Sequence, residues 1–208
     1  MASPLSLSPR QSYIPFCVNN CEWNSNMMIV PNTITSQYSY ILSFQNIAAN
    51  QTYQVKCFNV KGSNGGYNGM FPSNYAPVSF TIAPGVTKSL AVEEMQHPHK
   101  SSAACAWAPG TTNFPLTQLG MYAGVWAEFS FGGQWGDGWT SAVCSALATP
   151  PGPAVPGCRL HHGGVYSTIW PGGAVADNAY ISGETSIDAL GLNIPPGNVT
   201  IQATVGFS

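Results

Sequence analysis

Side chains able to do chemistry crowd into one stretch, WAEFSFGGQWGDGW at 126–139. It holds Trp126, Trp135 and Trp139, three of the six tryptophans, together with Glu128 and Asp137, two of the eight carboxylates. Indole beside carboxylate suits sugar, because the apolar C–H faces of a pyranose pack on the ring while the carboxylate takes its hydroxyls. A sharper version makes Glu128 and Asp137 the acid and base of a glycoside hydrolase, which needs two carboxyl groups roughly 5 to 10 Å apart. Against both stands a structural reading, in which tryptophan covers a sheet face and Asp137 closes a turn. The structural reading leads, a sugar platform of Trp126, Glu128, Trp135, Asp137 and Trp139 comes second, and catalysis by Glu128 with another carboxylate comes third.

The other reactive side chains support no catalytic machinery. His97-Pro98-His99 carries an internal proline and His161-His162 runs into Gly163-Gly164. Both pairs read as solvated loop residues, so no metal and no cofactor is expected. The chain has no G-x-S-x-G, H-E-x-x-H, P-loop or G-x-G-x-x-G motif, which removes the usual signatures of nucleophile, zinc, phosphate and dinucleotide chemistry. The six cysteines, Cys17, Cys21, Cys57, Cys105, Cys144 and Cys158, form an even set without a C-x-x-C pair. That pattern favours disulfides over zinc or a free nucleophile. Fifteen connectivities are open, and the four-residue spacing of Cys17 and Cys21 favours a distant partner for each.

Composition limits the partners. Only 7% of the 208 residues are charged and the net charge is −2, against roughly 25% charged in an average soluble chain. Six scattered Lys and Arg neutralise few phosphates, which argues against nucleic acid and against a polybasic membrane anchor. No run approaches the ~20 apolar residues of a membrane span. A surface this poor in charge suits a neutral polysaccharide, a coat of glycans, or burial between copies of the chain. Asn50-Gln51-Thr52 and Asn198-Val199-Thr200 are candidate N-glycosylation sites. Even cysteines, scarce lysine and two sequons point to a secreted, extracellular or cell-wall protein. The opening MASPLSLSPRQ lacks a basic start followed by an apolar run. It is expected to be a mature start with an added Met1, or a truncated one.

These residues have to be held by strands. Alternation places Tyr38, Tyr40, Leu42 and Phe44 on one face of 38–44, and Tyr53, Val55 and Cys57 on one face of 52–60. The same pattern recurs at Val78, Phe80 and Ile82 and, in 198–207, at Val199, Ile201, Ala203, Val205 and Phe207. In 125–131 it sends Val125, Ala127, Phe129 and Phe131 to the core and leaves Trp126, Glu128 and Ser130 on the opposite, wet face. Six Pro-Gly and two Asn-Gly steps supply turns. No apolar stripe of helical period survives ten residues. The expected fold is therefore all-β: a single-domain antiparallel β-sandwich over 1–208, with long loops and little helix. Residues 1–16 are expected to be an extended N-terminal segment and 148–158, ATPPGPAVPGC, a surface loop.

Four blocks together resemble the secreted fungal allergen family typified by Asp f four. They are SFTIAPGVTKSLAVEE (79–94), CAWAPG (105–110), MYAGVWAEFSFGGQWGDGW (121–139) and the region from CRLHHGG through NIPPGNVTI (158–201). The likeness covers roughly residues 50 to 207 and rests on order and spacing. It implies a secreted or wall-associated fungal protein without an assigned catalytic activity, and a sandwich similar to the thaumatin type. The family tends to carry a cysteine near the place of Gly124 and another near Tyr166, so one family disulfide is expected to be missing. Taken together, the expected function is a non-catalytic extracellular protein that binds wall polysaccharide through surface aromatics. The alternatives are a self-assembling protein of an extracellular coat or filament, and a glycoside hydrolase using Glu128.

Overall fold

A computed structural model describes residues 24–72, 78–93, 102–133, 138–153, 155–183 and 189–207. Among them, thirteen strands form two sheets. The seven-stranded sheet runs, in spatial order, β1 (Met27–Val30), β5 (Thr87–Val92), β2 (Tyr40–Asn46), β13 (Val199–Val205), β9 (Cys158–His162), β10 (Val165–Ile169) and β11 (Ala176–Asp177). The six-stranded sheet runs β12 (Leu192–Ile194), β8 (Thr140–Ser145), β7 (Val125–Ser130), β6 (Ala103–Pro109), β3 (Tyr53–Asn59) and β4 (Val78–Ile82). A single 3-10 helix, Asn32–Gln37, is the described helical element. The all-β sandwich is as the alternation predicts.

Most predicted faces hold, with two exceptions: Tyr38 caps the 3-10 helix and packs on the separate Val30, Ile41 and Ala91 cluster, and Phe207, past the end of β13, lies under Arg159 and outside the main core. Tyr40, Leu42 and Phe44, then Tyr53, Val55 and Cys57, then Val125, Ala127, Phe129 and Phe131 all enter one core, which draws residues from Met27 to Val205. Val199, Ile201, Ala203 and Val205 close it from β13. Trp107 lies at its centre, fully buried, with its ring centroid 6.0 Å from that of Phe44 in an edge-on arrangement and its indole N–H donated to the Gly157 carbonyl at 3.2 Å. A buried indole needs such an acceptor, since an unpaired N–H in the interior costs about 1–3 kcal/mol.

The pairing of β2 with β13 is parallel, Tyr40 opposite Val199 through Asn46 opposite Val205, whereas the other named pairs run antiparallel. Alternation fixes which face a side chain takes and says nothing of the neighbour's direction. The stretch 148–158 departs from a plain surface loop. Its second half turns inward, with Val155 and Cys158 buried, because Gly157 must reach the Trp107 indole.

Two disulfides consume four cysteines. Cys57–Cys105 joins directly opposed residues of β3 and β6, and Cys144–Cys158 ties β8 of one sheet to β9 of the other. Cys17 and Cys21, each expected to bond a distant partner, lie outside the described residues. At Gly124, φ is +95° and a Cβ would collide with the Trp107 carbonyl. On this backbone the family's cysteine has no room at that position.

Candidate ligand-binding face

Each sheet has an outer face, and the two differ. On the six-stranded sheet, alternation points Phe58 outward from β3, Ala104 and Ala106 from β6, and Trp126 and Glu128 from β7. The alanines leave space that aromatic rings fill. Tyr122 stacks on Phe58 at 5.3 Å, Trp126 meets Phe58 edge-on at 5.4 Å, and Phe114 closes over Tyr122 at 5.4 Å. Met70 and Ala148 complete this second small core. Burial drives the Tyr122 phenol up to about 12.

Trp126 is accordingly only 8% exposed, and its N–H is donated to the Tyr122 carbonyl at 3.1 Å. The expected wet face at Trp126 is thus corrected: the segments around Met70 and 114–122 cover it, and no ligand reaches that indole without displacing them. Glu128 is half-buried on the same face, opposite Ala104 and Val143. Burial pushes its carboxyl above the ordinary range, and a hydrogen bond from the Ser145 side chain works in the opposite direction. The other described carboxylates belong to the seven-stranded sheet, Glu93 just beyond β5 and Asp177 on β11. Trp139, just before β8, is 38% exposed. Trp135 and Asp137 lie outside the described residues.

The seven-stranded sheet is open on its outer side from β13 to β11. Gln202 of β13 faces His161 of β9, which faces Tyr166 of β10. One step along, Thr204 faces Arg159, which faces Thr168, which faces Asp177. Gln202, Tyr166 and Asp177 are exposed and Arg159 and His161 half-buried. His161 and Tyr166 stack at 4.4 Å with planes 16° apart. The Gly164 N–H is donated to His161 Nε2 at 3.3 Å, so Nε2 accepts and Nδ1 carries the proton of the neutral ring. Trp170 follows β10 and is 38% exposed, its backbone N–H donated to Val175 across the hairpin. Since Ile169 points to the core, Trp170 shares the outer face with Thr168 and Tyr166.

The surrounding chain holds this strip in place. Asn178 donates from its amide to the Tyr166 and Gly191 carbonyls at 2.9 Å each and accepts the Gly191 N–H at 2.8 Å. The Arg159 guanidinium lies over the Phe207 ring at 4.7 Å. The histidine pair is therefore no loop. His161 and His162 end β9, and Gly163 and Gly164, with φ of +55° and +85°, make the two-residue turn into β10. A turn with both central φ values positive matches the right-handed twist of its flanking strands. Among the described residues, no group of three or more His, Cys, Asp or Glu is placed to hold a metal ion. Sequence reasoning did not single out the exposed Tyr166 and Trp170; the signal available was an alternating VYSTIW run after a two-glycine turn. Asn50 and Asn198, the sequon asparagines, are both exposed.

Comparison with known proteins agrees with the sequence resemblance. Residues 25–205 match the sequence model of the family described as the Allergen Asp f 4-like domain. Allergen Asp f 4 of Aspergillus fumigatus is 26% identical over 188 residues, covering 89% of this chain and 56% of that protein. The chain thus spans about half the length of the curated relative it matches. Among solved structures, the protein elicitor MoHrip2 from Magnaporthe oryzae aligns with a TM-score of 0.43 and 13% identity, over 81% of this chain and 99% of that one. Because the family match extends over nearly the whole sequence, the chain belongs to the Asp f 4-like allergen family.

Proposed function

We propose, with membership of the Asp f 4-like family as the premise, that this chain works outside the cell as a non-catalytic protein holding neutral wall polysaccharide. The binding surface is the open outer face of the seven-stranded sheet. One observation carries the reading: Tyr166 of β10 and Trp170 just past its end are exposed, on a sheet whose next strand, β9, and the one beyond it, β13, carry hydrogen-bonding side chains. Rings supply a landing surface for the C–H faces of sugars, and Gln202, Thr204 and the His161 Nδ1–H supply donors and acceptors for hydroxyls. The family match and two buried disulfides support an extracellular setting. Glycans on exposed Asn50 and Asn198 are part of the same proposal.

Among the described residues of the sequence-predicted platform, Trp139 is an exposed tryptophan and a candidate for a second contact. Co-sedimentation with insoluble β-glucan and with chitin tests the reading. The chain is expected to be retained by one of them, and the Tyr166→Ala/Trp170→Ala double variant is expected to pass through. Trp139→Ala measures the contribution of the second contact. No retention on either polymer, or equal retention of the double variant, would defeat the proposal.

A further inference from the structure

The two exposed rings also define how long a ligand must be. Tyr166 lies on β10 and Trp170 one residue past its end, where the hairpin hydrogen bond to Val175 continues the extended spacing, so roughly 13 Å separates their backbone positions at ~3.3 Å per residue. Between them, Thr168 is buried and presents no ring, while its strand neighbours Arg159 and Asp177 stand on either side of it. The strip therefore reads ring, polar pair, ring. Arg159 and Asp177 carry opposite charges, so their sum over the strip is zero. An anionic polymer would meet Asp177 and a cationic one Arg159, whereas an uncharged polymer offers hydroxyls to both and strands neither charge.

We infer that the ligand is an extended, uncharged glycan chain lying along β10, with one sugar on Tyr166, another on Trp170 and hydroxyls between them on Arg159 and Asp177. This rests on the open face being the polysaccharide site, and adds orientation and minimum length. A pyranose advances an extended β-linked chain by rather more than one strand residue, so bridging ~13 Å takes about three to four units. A disaccharide occupies one ring at a time. A chain of four or more units occupies both, and its second contact forms at the high effective concentration of a tethered group. The backing of the two rings differs. Tyr166 rests on His161 at 4.4 Å and is held by Asn178 through its carbonyl, whereas Trp170 is followed by the Pro171-Gly172 turn, whose Gly173 N–H is donated to the Trp170 carbonyl at 3.0 Å.

Calorimetric titration with neutral β-glucan and chitin oligosaccharides of two to six units tests this on the full chain. For the wild type, affinity is expected to rise in a step of roughly tenfold between two and four units, then level off. Each of Tyr166→Ala and Trp170→Ala is expected to abolish the step and leave disaccharide binding within about twofold, since the other ring remains. Arg159→Gln, which leaves Asp177 without its opposite charge, is expected to weaken the four-unit ligand and to spare the disaccharide. Affinity that climbs evenly with length, or a step that survives both single variants, would overturn the inference while leaving polysaccharide binding intact. Absence of binding at every length, together with no retention on insoluble polymer, would overturn the underlying reading as well. Elution as a dimer that reverts to monomer in Trp170→Ala would assign the strip to a second copy of the chain instead.

Discussion

The outer face of the six-stranded sheet and the β13-to-β11 part of the other sheet's outer face both carry aromatic rings and end in opposite states, whereas over β1, β5 and β2 the second face is closed by Ile34 and Tyr38. On the six-stranded sheet, Phe58, Tyr122 and Trp126 turn their rings toward one another and vanish under the segments around Met70 and 114–122. On the β13-to-β11 part of the seven-stranded sheet, Tyr166 and Trp170 stay exposed, with Asp177 exposed on the adjoining β11 and Gln202 exposed across β9. Aromatic content alone does not distinguish a platform from a core. What distinguishes them is the neighbouring strand. Ala104 and Ala106 on β6 leave hollows into which rings collapse, whereas β13 and β9 offer Gln202, Thr204 and Arg159, whose polar ends favour staying wet.

The largest test of that contrast is stability. Trp126→Ala empties a buried aromatic site and is expected to cost about 3–5 kcal/mol in denaturant unfolding. A cost below about 1 kcal/mol would mean that the second core is not packed as described. Next comes the tie between sheets. Replacing Cys144 and Cys158 by serine opens a loop of 14 residues and is expected to cost about 3 kcal/mol, read as a lower denaturant midpoint. An unchanged midpoint would show that the bond does not constrain the unfolded chain.

A smaller effect distinguishes the faces by pH. Burial raises the Glu128 carboxyl above its ordinary value of 4.5. Folding therefore favours its protonated form, and the associated stability is fully present below the unfolded value and is lost as pH rises through the folded one. Glu128→Gln stays neutral throughout. It is expected to gain stability relative to the wild type as pH is raised from the carboxylate range toward neutrality, followed by thermal unfolding in a pH series. A gap that shrinks with rising pH would contradict the burial of this group. The smallest expected effect belongs to the open face, where Tyr166→Ala and Trp170→Ala should each change stability by no more than about 0.5 kcal/mol. A larger loss for either would move that ring from surface to core.

Much of this was legible in the sequence, for a physical reason. Alternation reports which side of a strand is apolar, so the inward faces of β2, β3, β7 and β13 could be read from residues such as Leu42, Val55, Phe129 and Ile201. It reports nothing about what covers the other side. Met70, Phe114 and Tyr122 come from turn-rich segments without periodicity, and the cover over Trp126 was therefore missed. Two clues existed: Phe58 interrupts the polar side of 52–60, and alanine recurs at 104 and 106. The parallel register of β2 and β13 had no local signal, since the strands lie far apart in sequence. Gly163-Gly164 reads as the mark of a loop, whereas two such residues between CRLHH and VYSTI make a hairpin, and with it come β10, Tyr166 and Trp170.

The claim that the open face and not the tryptophan-rich stretch receives the ligand is tested most directly by residue-resolved NMR. The chain, labelled with nitrogen-15, is titrated with a neutral glucan oligosaccharide of at least four units. Shifts are expected to concentrate in 159–170, 175–178 and 200–204, with the Trp170 indole N–H moving and the Trp126 indole N–H unmoved. Shifts concentrated in 126–145, with Trp126 among them, would contradict it.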